Sequence, residues 1–259
     1  METPLLEAKD LEKDFGELRA VAGVSFEIRR NEIVGLIGPN GAGKTTLIRL
    51  VMNILKPTSG KVWFKGEDIT GLATSTIVNK GLATTFQVVK PFRQLPALAN
   101  VLVSALSARA KASGDWVKIA EVRARDALEF CGIGDLAAEP ASVLSHGDLK
   151  RLEMARAIAT EPELLILDEP LGGLNPAETS LIMKSVKRLH KGGRFGRLHS
   201  EGPAMIIIEH KLSDLMNIVD RVIVMDLGQI IAEGKPDEVV RDKRVIEAYI
   251  GVEVGELVP

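Results

Sequence analysis

Cysteine is nearly missing from this sequence: Cys131 stands alone among 259 residues. A disulfide framework and a cysteine-built zinc site are therefore excluded, and a reducing compartment fits. Excess charge of either sign is missing too. The formal net charge is -2, which gives no global pull toward nucleic acid or acidic membranes. No apolar run approaches the roughly 20 residues needed to cross a bilayer. The first residues, "METPLLEAKDLEKDFGE", carry acids where a secretion signal carries bases and have no apolar segment, so secretion is not expected. Internal repeats and low-complexity tracts are also missing. What is present is the balance of a folded soluble protein, 46 % apolar and 26 % charged residues, on a chain long enough to bury a sizeable core.

Periodicity gives the organisation. Short β-type stretches at Leu5 to Ala8, Val24 to Ile28 and Lys61 to Phe64, with a turn at Lys65-Gly66, predict a small antiparallel sheet. "EIVGLIG" (32–38), "ELLILDE" (163–169) and "AMIIIEH" (204–210) read as buried strands. A helix is expected from Lys44 to about Leu55, another from Pro176 to about Leu189, and a hairpin over 219–234 turning at Asp226-Leu227-Gly228. Strands alternating with helices point to an α/β domain with a mainly parallel core sheet. A helical block at roughly 88–158 interrupts it. In that block Val117, Ala120, Ala124, Leu128 and Cys131 recur at helical spacing and predict one buried stripe. The glycine-rich, basic stretch "HKGGRFGRLHSEG" (190–202) reads as an exposed loop.

Chemistry is concentrated in a few places. "GPNGAGKT", Gly38 to Thr45, matches the phosphate-binding pattern G-x-x-x-x-G-K-[S/T] with a strand before it and a helix after it. Its glycines let backbone N–H groups converge on polyphosphate oxygens. Lys44 adds charge near the β- and γ-phosphates, and the Thr45 hydroxyl suits Mg²⁺. The candidate nucleotide-binding set is therefore Gly38, Pro39, Asn40, Gly41, Ala42, Gly43, Lys44, Thr45 and Thr46. In "LLILDEP" (164–170), Asp168 ends a strand where it can hold Mg²⁺ through water, and Glu169 can orient or deprotonate an attacking water. Gln87, in "TTFQ", has an amide able to ligate Mg²⁺ or place water, and His210 can hydrogen-bond a γ-phosphate. His146, His190 and His199 have no ligand-like spacing, so no metal site is assigned to them.

A second anion-binding start lies at "VLSHGDLKRLEMARAIA" (143–159), where Ser145, Gly147 and Asp148 open a helix. Ser145-x-x-Asp148 also fits a capping box.

Taken in order, the phosphate loop, Gln87, the Ser145 helix start, the acid pair, "LGGLNP" and His210 resemble the ATP-binding subunit of ABC transporters across nearly the whole chain. The resemblance implies a P-loop NTPase ABC nucleotide-binding domain over 1–259, with a small antiparallel β subdomain and a helical subdomain at 88–158. It implies ATP and Mg²⁺, with Glu169, His210 and Gln87 as catalytic residues and Thr45, Gln87 and Asp168 around the metal. Leu144 to Asp148 fall in the signature motif, Leu174-Asn175 in the D-loop, and Phe15 where adenine stacks. It further implies a head-to-tail dimer with a second ABC ATPase subunit, the same chain or a paralogue. There Ser145 and Gly147 face the γ-phosphate held by the partner. Two membrane permease subunits and, indirectly, a solute-binding protein complete the expected assembly, peripheral on the cytoplasmic face of the cell membrane; nucleic acid is not among the partners. The exposed candidates for docking the permeases are Val88 to Leu98, including Phe92 and Leu95.

"TTFQVVKPF", "LSHGDLKRLEMARAIATEPELLILDEPLGGLNP" and "VIEAYIG" (245–251) are similar to the branched-chain amino acid importer ATPases and to urea and amide importers. The ATPase of a lipopolysaccharide-type exporter and a soluble, non-transport ABC ATPase remain open alternatives. A P-loop kinase is disfavoured by Ser145 to Arg151. Three departures from the family pattern stand out: Asp148 replaces the usual glutamine, 106–118 is short, and 190–202 is long.

Overall fold

The computed structural model describes residues 3–86, 89–106, 115–192, 202–210 and 212–250. Gln87, Val88 and most of the 190–202 loop lie outside the described residues. The elements in chain order are β1 (Leu6–Phe15), β2 (Leu18–Ile28), β3 (Ile33–Ile37), α1 (Lys44–Val51), β4 (Ser59–Phe64), β5 (Glu67–Asp68) and α2 (Thr74–Lys80). Then come β6 (Leu82–Thr84), α3 (Ala97–Ala105), α4 (Trp116–Phe130), α5 (His146–Ile158), β7 (Leu164–Asp168) and α6 (Pro176–His190). The chain closes with β8 (Ala204–Ile208), α7 (Leu212–Leu215), β9 (Arg221–Asp226), β10 (Gln229–Gly234), α8 (Pro236–Val239) and α9 (Lys243–Ile250). They form two compact units, Met1–Ile77 with Ala204–Pro259, and Val78–Pro203.

The first unit holds two sheets. One is the expected antiparallel sheet, in order β2-β1-β4-β5. Its first strand runs longer than the alternation predicts, because Asp10 takes φ 48 in a bulge between Ala8 and Leu11. Ser25 Oγ closes that bulge by accepting from the Asp10 N–H at 2.8 Å. In the other sheet β3 lies parallel to both β8 and β9, with Leu36 paired to Ile208 and Ile223. Every residue of β3 and β8 is buried, which is what an apolar parallel strand with covered faces requires. The predicted hairpin is β9–β10, turning at Leu227-Gly228. Helix α1 stops at Val51, short of the expected Leu55. Asn53 breaks it at φ 49, and its amide bonds Ile69 O and the Gly71 N–H. Asparagine tolerates that left-handed conformation better than most residues.

The second unit pairs β6 with β7 in parallel, Leu82 to Leu164 and Thr84 to Ile166. Helices α3, α4 and α5 pack against one another. Ala120, Ala124, Leu128 and Cys131 form the predicted buried stripe, but Val117 is 48 % exposed. Periodicity gives the face of a helix, not how far along it the neighbours reach. Ser145 caps α5, its Oγ accepting from the Asp148 N–H. Asn175 caps α6 in a full capping box with Glu178, followed by Pro176 in the first turn.

Candidate nucleotide and catalytic residues

The phosphate loop joins β3 to α1 inside the first unit, and its neighbours there explain its glycines. A Cβ on Gly38 would lie 2.1 Å from Met225 O, and one on Gly43 would lie 2.4 Å from Ala20 O. Both glycines also have positive φ, 150 and 99. The loop is pressed between β2 and the β9–β10 hairpin, with the Gly228 N–H donating to Ala42 O at 3.0 Å. No other residue type fits at either position without moving backbone. Lys44 is buried, and its Nζ donates to Gly38 O at 2.6 Å and Pro39 O at 2.9 Å. The ammonium is thus held over the loop by the loop's own carbonyls. Helix α1 begins at Gly43 with no side-chain cap and no acid in its first turn. Within the helix's own first turn no carboxylate competes for the opening N–H groups, the arrangement that takes an anion. Asn40 and Gly41 are exposed, and Pro39, Thr45 and Thr46 are half-buried.

Phe15 and His210 also belong to the first unit. Phe15 ends β1 with its ring 46 % exposed and the Lys13 ammonium 5.2 Å from its centroid. An aromatic face left in solvent beside a cation can stack a nucleobase. His210 follows β8, half-buried, after the buried Glu209.

The second unit carries the acids and the second helix start. Asp168 ends β7, buried, and its N–H donates to Thr85 Oγ1 at 3.1 Å. Glu169 follows in a left-handed conformation, φ 48, and is half-buried. At α5, Ser145 is exposed while Gly147 is buried, where a Cβ would lie 2.3 Å from Glu178 Oε1. Only half of the expected Ser145–Asp148 capping box forms. Asp148 does not reach back to the Ser145 backbone. Its carboxylate accepts the Ser145 hydroxyl at 2.6 Å and a guanidinium N–H of Arg151. Gln87 lies outside the described residues.

Several neighbours of these candidates were not singled out from the sequence. Lys150, buried on α5, donates to Glu169 O at 2.9 Å. Glu153, one turn on, accepts from the Phe86 N–H at 2.8 Å, next to Gln87. Burial pushes the Glu153 carboxyl above its usual range against that hydrogen bond and the nearby Lys150. Charged residues at buried helix positions are the signal that would have found this pair. Asn100 is fully buried and folds the 92–96 turn around itself, accepting from Phe92 N–H at 2.7 Å and donating to Leu95 O and Pro96 O at 3.1 Å. That turn presents Phe92 and Leu95 to solvent, 47 % and 41 % exposed, with the Arg156 guanidinium 5.6 Å from the Phe92 ring centroid. Among the described residues no cluster of His, Cys, Asp and Glu forms a metal centre by itself. Burial also pushes the Cys131 thiol up to about 12, so it stays protonated.

The chain matches the family model "ABC transporter" over residues 21–172 and the model "Branched-chain amino acid ATP-binding cassette transporter" over residues 229–255. It is 37 % identical to the high-affinity branched-chain amino acid transport ATP-binding protein LivG of Salmonella typhimurium, over 97 % of this chain and 99 % of that one. A crystal structure of the ADP conformation of an ATP-binding cassette of an ABC transporter superposes with a TM-score of 0.82 at 32 % identity, covering 96 % of this chain and all of that chain (100 %). A dimeric structure of a bacterial ABC transporter cassette gives 0.77 at 25 % identity, over 89 % and 98 % of the two chains.

Proposed function

Because the chain belongs to the ABC transporter ATP-binding family, whose members hydrolyse ATP to power transport, we propose that it drives uptake of branched-chain amino acids through separate permease subunits. The observation that carries this is the braced phosphate loop, with Gly38 and Gly43 admitting no Cβ and Lys44 held over it. The specific C-terminal match at 229–255 favours the importer branch over the exporter alternative.

In this reading Gly38 to Thr46 wrap the triphosphate and Phe15 stacks the adenine. Thr45, Asp168 and Gln87 offer hard oxygen donors, the set that suits Mg²⁺. When bound, that ion would neutralise charge on the β- and γ-phosphate oxygens. Glu169 accepts the proton of the attacking water, and His210 donates a hydrogen bond to the γ-phosphate. The exposed Ser145, with the backbone of Gly147, meets the nucleotide of a second ABC subunit in a head-to-tail dimer. Phe92 and Leu95, fixed by Asn100, offer the apolar contact for a permease. No helix among the described residues is long and apolar enough to cross a membrane. The permeases would therefore hold the subunit at the cytoplasmic face, with a solute-binding protein delivering substrate to them. We further take 1–259 as one ATP-binding domain whose helical subdomain is 88–158.

The test is radiolabelled leucine uptake in a host whose own system is deleted, complemented with this chain and its permeases. Wild type should restore uptake; Lys44→Ala, which loses the phosphate charge, and Glu169→Gln, which loses the base, should not. Removing such a base costs roughly 10²–10⁴ in rate. Uptake that persists with both variants, or wild type that restores none, overturns the proposal.

A further inference from the structure

Lys150 is not among the residues assigned above to the phosphate loop, the acid pair or the helix start at Ser145. It nevertheless ends on the residue that matters most for hydrolysis. Glu169 sits at φ 48 and precedes Pro170, two conditions that oppose each other, since proline drives the residue before it toward extended backbone. Pro170 contributes no N–H, so the only polar backbone atom in that peptide link is Glu169 O. Lys150 Nζ donates to that oxygen at 2.9 Å, and the Gly172 N–H to the same oxygen at 3.3 Å. On the other side, Thr85 Oγ1 holds the Asp168 N–H at 3.1 Å. The backbone of the acid pair is therefore pinned at both ends, and one pin is a buried charge from α5. One turn further along the same helix, Glu153 holds the Phe86 N–H, so α5 ties the strand end of Glu169 and the chain entering Gln87 to one rigid element.

We propose that Lys150 is a positioning residue for hydrolysis: by fixing the Glu169 carbonyl it sets the direction in which the Glu169 side chain leaves the strand. The role rests on Glu169 being the base.

The test uses the full chain and steady-state ATP hydrolysis with four variants: Lys150→Met, Lys150→Arg, Glu169→Gln and the double Lys150→Met/Glu169→Gln. Misplacing a reacting group costs roughly ten- to a hundredfold. Lys150→Met should lose that factor in kcat with KM for ATP within about twofold, since the phosphate loop is untouched. Lys150→Arg, which keeps a donor, should recover most of it. In the Glu169→Gln background the same Met substitution should change the residual rate by less than about twofold, because its target is gone. A kcat equal to wild type in Lys150→Met, an equal loss in both backgrounds, or a loss that falls on KM instead overturns the proposal. If Lys150→Met does not give a folded protein, Lys150→Gln, whose amide is too short to reach Glu169 O, takes its place with the same expected loss and the same refuting outcomes. Normal turnover by Glu169→Gln sinks both this proposal and the assignment of the base. An inactive Glu169→Gln beside a fully active Lys150→Met sinks only this one.

Discussion

Asp148→Asn isolates what the unusual signature residue does. The substitution keeps shape and an acceptor for the Ser145 hydroxyl but removes the charge. Three contributions are affected. The carboxylate takes a guanidinium N–H of Arg151 and the Ser145 hydroxyl at 2.6 Å, and hydrogen bonds to a charged group contribute about 1.5–3 kcal/mol. It also sits in the first turn of α5, where a negative charge adds about 0.3–1 kcal/mol. Against this, the side chains of Arg151 and Asp148 retain 20 % and 17 % exposure, so part of the pair is screened toward the weak values of surface ion pairs. The balance is a loss of about 1.5–3 kcal/mol, which for a chain of this size lowers Tm by about 3–12 °C. Thermal melting by circular dichroism measures it, with Arg151→Met and the double variant completing a cycle. The coupling between the two sites should reach about 1 kcal/mol or more and shrink in high salt. A drop below about 1 °C, or an equal drop with and without Arg151, refutes the pairing. The same pairing bears on the dimer: with Arg151 compensating the carboxylate, its removal should change ATP-driven self-association by less than about threefold, under 1 kcal/mol.

Gly147→Ala should destabilise by about 0.5–2.5 kcal/mol: alanine gains about 0.5–1 kcal/mol in a helix, while swinging Glu178 away loses its carboxylate's bond from the Asn175 N–H, about 1.5–3 kcal/mol. Made in a Glu178→Ala background it should stabilise, and urea melts showing the same change in both backgrounds refute the clash. Burial raises the Glu32 carboxyl, but the Arg221 guanidinium and the Arg29 N–H outweigh it and hold the group below its usual range. A depressed folded pKa gives stability that is complete above the unfolded value, about 4.3, and lost as pH falls through the folded one. The stability gap between wild type and Glu32→Gln should therefore be constant near neutrality and close in acid; a gap that does not close as pH falls from about 7 to about 3 would count against it. Cys131, buried and pushed up to about 12, should not react with DTNB in the native protein and should react fully in urea; rapid native labelling contradicts that burial.

The phosphate loop, the acid pair and the Ser145 helix start were legible because each is a run of consecutive residues whose chemistry is complete within a few positions. Gly38, Gly43 and Lys44 announce a polyphosphate by spacing alone, and "LLILD" announces a strand with covered faces by having no polar residue until its end. The resemblance then added an expectation that spacing does not give, the place of Phe15 against an adenine. Where α1 would stop was not legible, since Asn53 acts through Ile69 and Gly71, and neither is its neighbour in sequence. Nor was the partner of Asp148: a capping box and an Arg151 pair are written with the same letters, and the geometry of the folded helix decides between them. Lys150 and Glu153 belong to no sequence motif. Only the packing of α5 buries them and brings Glu169 and Phe86 within reach. A sequence specifies what a side chain is able to bond; which distant backbone atom it meets is set by how the elements pack, because a buried charge must take whatever partner the fold brings to it.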